Sequence, residues 1–208
     1  MKYSTILLFG APGAGKGTQG KVLGVVPNFF HNSCGDVFRS LTVDSELGRI
    51  FLDYSARGQL VPDEYTVRLW HESIKKREQA GQFRPERDTL ILDGIPRNLA
   101  QAKLLEDTLN VKAVFNLLCA DRNKLVERLQ RRALRENRLD DASLEVIRRR
   151  LETYENETRP VLDFYGPKLV IQIDATLTPI QVLHNILEVV ARREGQFDPN
   201  SWTFSRPS

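Results

Sequence analysis

Short apolar runs alternate with longer stretches of helical periodicity along this chain. The apolar runs lack the polar alternation of a half-exposed sheet, which predicts strands that are buried on both faces. Strands are predicted over residues 5–9, 29–32, 89–92, 113–118 and 169–173. Helices are predicted over residues 16–24, 35–56, 63–80, 99–109, 122–134, 142–164 and 179–192. This alternation predicts a parallel sheet wrapped by helices, with ligands bound at the carboxyl ends of the strands.

A glycine-rich loop follows the first predicted strand and carries the strongest chemical signal in the chain. Residues 10–18 read Gly-Ala-Pro-Gly-Ala-Gly-Lys-Gly-Thr. Glycines allow successive backbone N–H groups to point at one anion, and Lys16 adds a mobile charge. The loop therefore predicts a nucleoside triphosphate with Mg²⁺ as the ligand, the alternative being a plain turn. Gly17 stands where the generic loop has a hydroxyl that reaches the metal, and the hydroxyl follows at Thr18.

A second motif places a carboxylate at the tip of another predicted strand. Residues 90–97 read Leu-Ile-Leu-Asp-Gly-Ile-Pro-Arg. In a phosphate-loop protein, an acidic residue at this place usually holds Mg²⁺, directly or through water. We therefore expect Mg²⁺ to be held through water at Asp93 and Thr18. The alternative for Asp93 is a carboxylate that only ends the strand or caps a helix.

Composition narrows the class of protein. The chain has 208 residues, a net charge of +3 and 41% hydrophobic residues, which suits one α/β domain. Cys34 and Cys119 form no Cys-x-x-Cys pair, and no Cys/His cluster has zinc-ligand spacing, so no zinc site is expected. We expect no leader peptide, and the sequence shows no apolar run long enough for a bilayer span and no nucleic-acid-binding motif. We therefore expect a cytoplasmic protein that binds neither membrane nor nucleic acid, with a tail without regular structure over residues 194–208.

Three further segments complete a pattern. Residues 32–39 read Asn-Ser-Cys-Gly-Asp-Val-Phe-Arg, residues 58–64 read Gly-Gln-Leu-Val-Pro-Asp-Glu, and residues 128–150 hold an arginine-rich stretch. In this order and spacing, the five segments resemble the adenylate kinase family of nucleoside monophosphate kinases. The resemblance covers the chain from the first strand to about residue 190, and the combination is too specific to expect by chance.

The resemblance implies a P-loop NTPase-type α/β fold, with a five-stranded parallel sheet flanked by helices and two small mobile insertions. A single domain would span residues 1–208. Residues 33–62 would bind the nucleoside monophosphate, and residues 129–141 would form a short lid over ATP, too short for the zinc site of some long lids. The implied reaction is reversible phosphoryl transfer from Mg·ATP to AMP, giving two ADP. A monomer is expected.

The resemblance also implies catalytic roles. Lys16 would bridge the ATP phosphates, and Asp93 would orient the hydrated Mg²⁺. A cluster of arginines would close over the transferring group, with Asp140 and Asp141 tying the lid arginines in the closed form. The implied catalytic set is Lys16, Asp93, Arg97, Arg132, Arg138 and Arg150.

The two nucleotide sites are implied in the same way. The ATP site would comprise Gly13, Ala14, Gly15, Lys16, Gly17, Thr18, Arg132 and Leu177. The AMP site would comprise Cys34, Arg39, Gln59, Leu60, Val61, Gly94, Arg97, Gln101, Arg138 and Arg150. Within it, Arg39 and Arg97 would grip the acceptor phosphate. The remaining arginines of the stretch and the histidines are expected to be solvated or structural; these are Arg131, Arg135, Arg148, Arg149, His31, His71 and His184.

The acceptor base is where the sequence departs from the family pattern. Cys34 stands where AMP-specific members usually have Thr, and Asn98 follows Pro-Arg as in many members that prefer UMP or CMP. Against this, Gln101 matches the glutamine that reads the adenine edge, and residues 59–61 match the strip whose backbone contacts the base. AMP is therefore the favoured acceptor. A pyrimidine monophosphate kinase and a catalytically inactive nucleotide-binding protein stay as alternatives.

Overall fold

The computed structural model describes residues 2–136, 138, 141 and 143–193, so the predicted tail lies outside the described residues. The strands are β1 (Tyr3–Phe9), β2 (Phe29–Ser33), β3 (Thr89–Asp93), β4 (Leu109–Leu118) and β5 (Val170–Asp174). The helices are α1 (Lys16–Leu23), α2 (Cys34–Arg39), α3 (Glu46–Ala56), α4 (Asp63–Gln79), α5 (Leu99–Leu105), α6 (Arg122–Glu136), α7 (Leu144–Thr153), α8 (Val161–Tyr165) and α9 (Pro179–Arg192). None of these described helices has both the length and the apolar character that a membrane span needs.

The five strands form one parallel sheet in the order β2-β3-β1-β4-β5. The central strand β1 is bounded by β3 and β4, and Leu8 stands beside Asp93 in the register. This pairing brings the start of the glycine-rich loop and the tip of β3 to the same edge of the sheet. The predicted fold class, a five-stranded parallel α/β sheet flanked by helices, is confirmed.

Each face of the sheet is covered by its own hydrophobic cluster. Along β1, Ile6 and Leu8 belong to one cluster, while Leu7 and Phe9 belong to the other. All four side chains are almost completely buried. Burial on both faces is the physical reason for the unbroken apolar runs of the sequence, because a strand with no solvent face has no position that favours a polar side chain.

Two of the predicted helices are interrupted in the structure. The stretch predicted as one helix over residues 35–56 forms α2 and α3, because the Ser45 hydroxyl accepts from the Gly48 N–H at 3.1 Å and begins a new helix. The stretch over residues 142–164 is divided by a π-helical turn at Tyr154–Thr158, before Pro160 precedes α8. Proline has no N–H to donate to the preceding turn, which favours a break there.

Helix α1 approaches the sheet closely through two glycines on one of its faces. A Cβ atom added to Gly20 would lie 2.3 Å from His31 Nε2, and one added to Gly24 would lie 2.5 Å from His31 Cβ. Burial against α1 lowers the pKa of the His31 imidazole. His31 therefore packs as a structural side chain, as predicted, and fixes the position of the helix whose first residue is Lys16.

We expect Gly20→Ala to lower the free energy of unfolding by about 1–3 kcal/mol, the usual range for overpacking. An alanine in an exposed helix would instead stabilise by roughly 0.5–1 kcal/mol. Urea unfolding of the variant measures the difference. The control is the same change in a His31→Ala background, where the clash is gone and Gly20→Ala should be neutral or stabilising. An equal effect in both backgrounds would contradict the packing argument.

Candidate nucleotide and phosphoryl-transfer site

A cavity of about 690 Å³ opens at the carboxyl ends of β1 and β3. Among the described residues that line it, ten side chains are basic and three are acidic. The basic ones are Lys16, Lys21, Arg39, Arg97, Arg128, Arg131, Arg132, Arg135, Arg138 and Arg150. Such an excess of positive charge in a concave site favours a polyanionic ligand of nucleotide size.

The glycine-rich loop wraps around the entry of this cavity. Gly10 adopts φ 138° and Gly13 adopts φ 85°, which are backbone conformations that side chains disfavour. A Cβ atom at Gly10 would also lie 2.6 Å from the carbonyl oxygen of Leu117, on the neighbouring strand. The loop therefore needs glycine at these positions to curl tightly before α1 begins at Lys16.

Lys16 turns back into this loop. Its ammonium group donates to the carbonyl oxygens of Gly10 at 2.7 Å and Ala11 at 3.2 Å. Burial lowers the pKa of Lys16 to about 8; the negative charge of Asp93 opposes this shift, while Arg97 and other nearby arginines add to it. The lysine is therefore a buried cation without a full counter-charge, which an anionic ligand would supply.

Asp93 ends β3 at the floor of the cavity, where it is 8% exposed. A Cβ atom at Gly17 would lie 3.6 Å from Asp93 Oδ2, an ordinary contact distance, so position 17 lies directly beside the carboxylate. Thr18 lines the same cavity. Within the described part of the chain, no cluster of three or more His, Cys, Asp or Glu side chains could hold a metal ion. One carboxylate and one hydroxyl suit Mg²⁺, which usually completes its shell with water and substrate phosphates.

Three arginines meet at Asp141. The Asp141 carboxylate, whose side chain is fully buried, accepts from Arg132 Nε at 2.8 Å and Arg132 Nη2 at 2.6 Å. It also accepts from Arg150 Nη1, and Arg138 Nε lies 3.7 Å from its Oδ2. The structure thus brings together the three arginines expected to close over the transferring group. The expected partner Asp140 lies outside the described residues.

Two further arginines line the opposite side of the cavity. Arg97 donates from Nε to the carbonyl oxygen of Gly94 at 2.8 Å, and Gly94 adopts φ 82°. Arg39 is paired with Asp36 through Nη2. Burial acts to raise the pKa of Asp36, but the hydrogen bond and charge of Arg39 outweigh it and leave the pKa lowered. Both expected phosphate ligands therefore face the site with oxygen partners already in place.

The predicted base pocket lies between these arginines and α3. Cys34, Gln59, Leu60, Val61 and Gln101 all line the cavity, together with Thr66 and Phe51. Cys34 is buried at the start of α2, and burial raises the pKa of its thiol to about 11, with Arg97 acting in the opposite direction. The thiol is therefore protonated at neutral pH, which favours a packing role over a nucleophilic one.

A closed hydrogen-bond network surrounds the predicted base-reading glutamine. Asn98 Oδ1 accepts from the Gln101 backbone N–H and caps α5, while Asn98 Nδ2 donates to Asp63 Oδ1, both at 2.8 Å. Gln101 Nε2 donates to the same Asp63 oxygen at 2.8 Å, and Gln101 Oε1 accepts from the Arg97 backbone N–H at 2.8 Å. Both ends of the Asn98 amide thus have a partner within the protein, and Asn98 is not among the described residues that line the cavity.

The donor side of the cavity contains residues that the sequence argument did not single out. Arg128 Nη1 donates to the carbonyl oxygen of Ala175 at 3.0 Å, next to the loop that carries Leu177. Gln19 is 3% exposed and donates to the carbonyl oxygen of Pro179 at 3.0 Å, which ties α1 to the start of α9. Arg128 lies in the arginine-rich stretch, but only tertiary contacts distinguish it from its exposed neighbours.

Those exposed neighbours behave largely as expected. Arg131 is 79% exposed and lies 4.0 Å from Glu127 across one helical turn, although it and Arg135 reach the rim of the cavity. Arg149 pairs with Glu145 at 3.0 Å and donates to the carbonyl oxygen of Arg57 at 3.4 Å. The last contact joins α7 to the segment that follows α3, so Arg149 has a structural partner besides solvent.

The fold and the site together define a class: an α/β phosphate-loop protein whose cavity gathers arginines around one buried lysine and one buried aspartate. Comparison with known proteins identifies the family within this class. Residues 8–170 match the family described as adenylate kinase. An adenylate kinase of Thermobifida fusca is 39% identical over 176 residues, which are 82% of this chain and 89% of that protein. The chain belongs to the adenylate kinase family.

Two more relatives support this membership. An adenylate kinase of Flavobacterium psychrophilum is 37% identical over 165 residues, or 77% of this chain and 83% of that protein. One from a Cyanothece species is 37% identical over 198 residues, or 92% of this chain and 97% of that protein. The resemblance read from the sequence motifs is therefore confirmed.

We expect Asp141→Asn to lower the free energy of unfolding by about 3 kcal/mol or more, because it removes the buried counter-charge that Arg132 and Arg150 share. Urea unfolding measures this loss. Glu145→Gln is the matched control, since it breaks an exposed ion pair of the same kind, with Arg149, and should cost about 1 kcal/mol or less. Equal, small losses in both variants would show that Asp141 does not hold the arginines together.

Proposed function

We propose that this chain is an adenylate kinase that transfers the γ-phosphoryl group reversibly from Mg·ATP to AMP, giving two ADP. The observation that carries the proposal is the convergence of Lys16, Asp93 and the arginine cluster on one cavity. The N–H groups of Lys16 and of these arginines would then donate hydrogen bonds to the phosphoryl oxygens that gain negative charge during the transfer. The family membership is consistent with this reaction.

On the donor side, we assign the ATP phosphates to the glycine-rich loop from Gly13 to Thr18, with the Lys16 ammonium bridging the distal ones. Backbone N–H groups at the start of α1 and the helix dipole favour the same anion. Arg132 reaches this side from α6, and Leu177 borders the space proposed for the adenine of ATP. Arg128 is added to this set, because its contact with Ala175 holds the loop of Leu177.

On the acceptor side, we assign the AMP phosphate to Arg39 and Arg97, with Arg138 and Arg150 between the two nucleotides. Gly94 leaves the space that Arg97 needs, because a Cβ atom there would lie 3.2 Å from Arg97 Nη2. The base of AMP would lie in the predicted base pocket. The residues that line this pocket are Cys34, Gln59, Leu60, Val61 and Gln101.

We propose Mg²⁺ as the metal, held through water at Asp93 and near Thr18 together with the phosphates. When bound, Mg²⁺ neutralises charge on the phosphoryl oxygens and orients them. Asp93 and Thr18 both line the cavity that would receive such a hydrated ion.

The mechanism needs no nucleophilic side chain, because the acceptor phosphate oxygen attacks the γ-phosphorus directly. The chain's own contribution is to align the two nucleotides, exclude water and surround the reacting oxygens with fixed positive charge. Loss of one such arginine contact should cost about 3–7 kcal/mol in the activation barrier, the scale of arginine fingers.

We further propose that residues 33–62 and 129–141 move as two insertions that close over the substrates. In the structure, the first of these segments contacts α7, which follows the second: Thr153 Oγ1 donates to the carbonyl oxygen of Gly58 at 3.2 Å. Closure around both nucleotides would keep water from accepting the phosphoryl group. We also propose that the protein is a cytoplasmic monomer, as the resemblance to the adenylate kinase family implies.

The direct test measures ADP formation from Mg·ATP with AMP, CMP, UMP or dAMP as the separate acceptor. The proposal predicts a strong preference for AMP. A preference for CMP or UMP would overturn it in favour of a pyrimidine monophosphate kinase. Binding of ATP without turnover of any acceptor would indicate an inactive nucleotide-binding protein.

We expect the affinity for Mg·ATP to fall as the pH rises through about 8. Bound phosphates would raise the lowered pKa of Lys16, because their negative charge favours the protonated lysine. Mg·ATP should therefore bind most tightly at a pH below the pKa of free Lys16. Above that pKa, the protein should take up a proton when it binds Mg·ATP. Titration calorimetry between about pH 7.5 and 9.5, in two buffers of different ionisation enthalpy, measures this uptake. Lys16→Met should bind more weakly, and its affinity should not change with pH in this range. The same proton uptake in that variant would refute the assignment.

A further inference from the structure

We propose that Asp63 is a positioning residue that sets the acceptor-base specificity of the site, by fixing which way the side-chain amide of Gln101 points. This inference rests on the proposed function, because it takes AMP as the acceptor. Asp63 begins α4 and is distant from Gln101 in sequence, but their side chains meet at 2.8 Å.

The chemistry of the partners determines the orientation of the Gln101 amide. A carboxylate can only accept hydrogen bonds, so Asp63 requires the NH₂ group on its side. A backbone N–H can only donate, so the Arg97 N–H at 2.8 Å requires the amide oxygen on the other side. A flipped amide would set oxygen against oxygen at Asp63 and N–H against N–H at Arg97. Both bonds would then be lost.

Asn98 holds Asp63 in this position. Its Nδ2 donates to the same Asp63 oxygen, and its Oδ1 is committed to the backbone N–H of Gln101. The two amides and the carboxylate therefore form a network in which every donor and acceptor has one orientation. This gives Asn98 a role within the protein, and of the two amides only that of Gln101 lines the described cavity.

The fixed amide still has hydrogen-bonding capacity for a ligand. Gln101 uses one of its two Nε2 hydrogens on Asp63 and one of its two Oε1 lone pairs on Arg97. One N–H and one lone pair remain, and Gln101 lines the cavity. Adenine presents an acceptor at N1 and a donor at its 6-amino group, which match this pair. Hypoxanthine presents the reverse, a donor at N1–H and an acceptor at O6, which would match only the flipped amide.

The test compares kcat/KM for AMP with kcat/KM for IMP in the full chain. Wild type should discriminate strongly for AMP, and Asp63→Leu should lower the AMP-to-IMP ratio by at least about tenfold, because the amide loses one of its two fixed partners. The KM for ATP should be unchanged. Asp63→Asn, which keeps an acceptor oxygen, should restore most of the ratio.

Glu64→Leu is the matched control, since Glu64 carries the same charge in the same turn of α4 but is exposed and outside the network. It should leave the ratio unchanged. A merely structural role of Asp63 would lower kcat/KM for AMP and IMP together, and an unchanged ratio in Asp63→Leu would overturn the proposal. If Asp63→Leu does not fold, Asp63→Ala gives the same readout without added bulk.

Failure of this inference is distinguishable from failure of the proposed function. A wild-type chain that does not use AMP would refute the proposed function. A wild-type chain that uses AMP but accepts IMP equally well would refute the role of the fixed amide.

Asn98→Ser supplies an independent check: the hydroxyl keeps the cap of α5 but gives no amide for Asp63. We expect a lowered AMP-to-IMP ratio with no change toward CMP or UMP, and a gain or loss specific to those pyrimidines would overturn the assignment of Asn98.

Discussion

The concentration of positive charge at the carboxyl edge of the sheet is the constraint on which the rest of the structure depends. Two unit charges 5 Å apart repel by about 3 kcal/mol at an effective dielectric constant of 20, so a cavity lined by ten cations needs fixed counter-charge to persist without a ligand. Asp141 provides it for Arg132 and Arg150, and the negative charge of Asp93 provides part of it for Lys16. Both carboxylates are buried, where screening by salt is weak. The sheet places Asp93 at the tip of β3, and Asp141 lies between α6 and α7, whose arginines it binds.

The sequence predicted the sheet well, because strands buried on both faces leave a signal that does not depend on the rest of the chain. The five apolar runs and the loop from Gly10 to Thr18 therefore led to the correct fold class and family. The helix boundaries within 35–56 and 142–164 were wrong, since a single serine cap and a π-helical turn decided them. Apolar periodicity continues through both breaks, so no pattern of hydrophobic positions reveals them.

The site was predictable in its composition and less so in its connections. The sequence identified residues that line one cavity in the structure, including Lys16, Asp93 and Arg97. It did not identify Asp63 or Arg128, because their importance depends on contacts across 35 or more positions in the chain. Asn98 shows the same limit. A single asparagine after Pro-Arg is compatible with several base preferences, and its partners, Asp63 and the Gln101 N–H, become visible only in the folded chain.

Several cations of the site are hydrogen-bonded to oxygen atoms of the protein, which bears on how they would bind a phosphate. Lys16 donates to two loop carbonyls, Arg97 to the Gly94 carbonyl, and Arg39 to Asp36. Each group is thus held by oxygen atoms of the protein that a phosphate oxygen could replace without leaving a donor unpaired. Such an exchange costs little desolvation, because the charge is already out of bulk water, and it keeps each side chain near its working position. The arginines on Asp141 differ, because a buried carboxylate is a stronger partner than a carbonyl. Separating Arg132 or Arg150 from Asp141 would therefore cost more than separating Lys16 or Arg97 from its carbonyl partners.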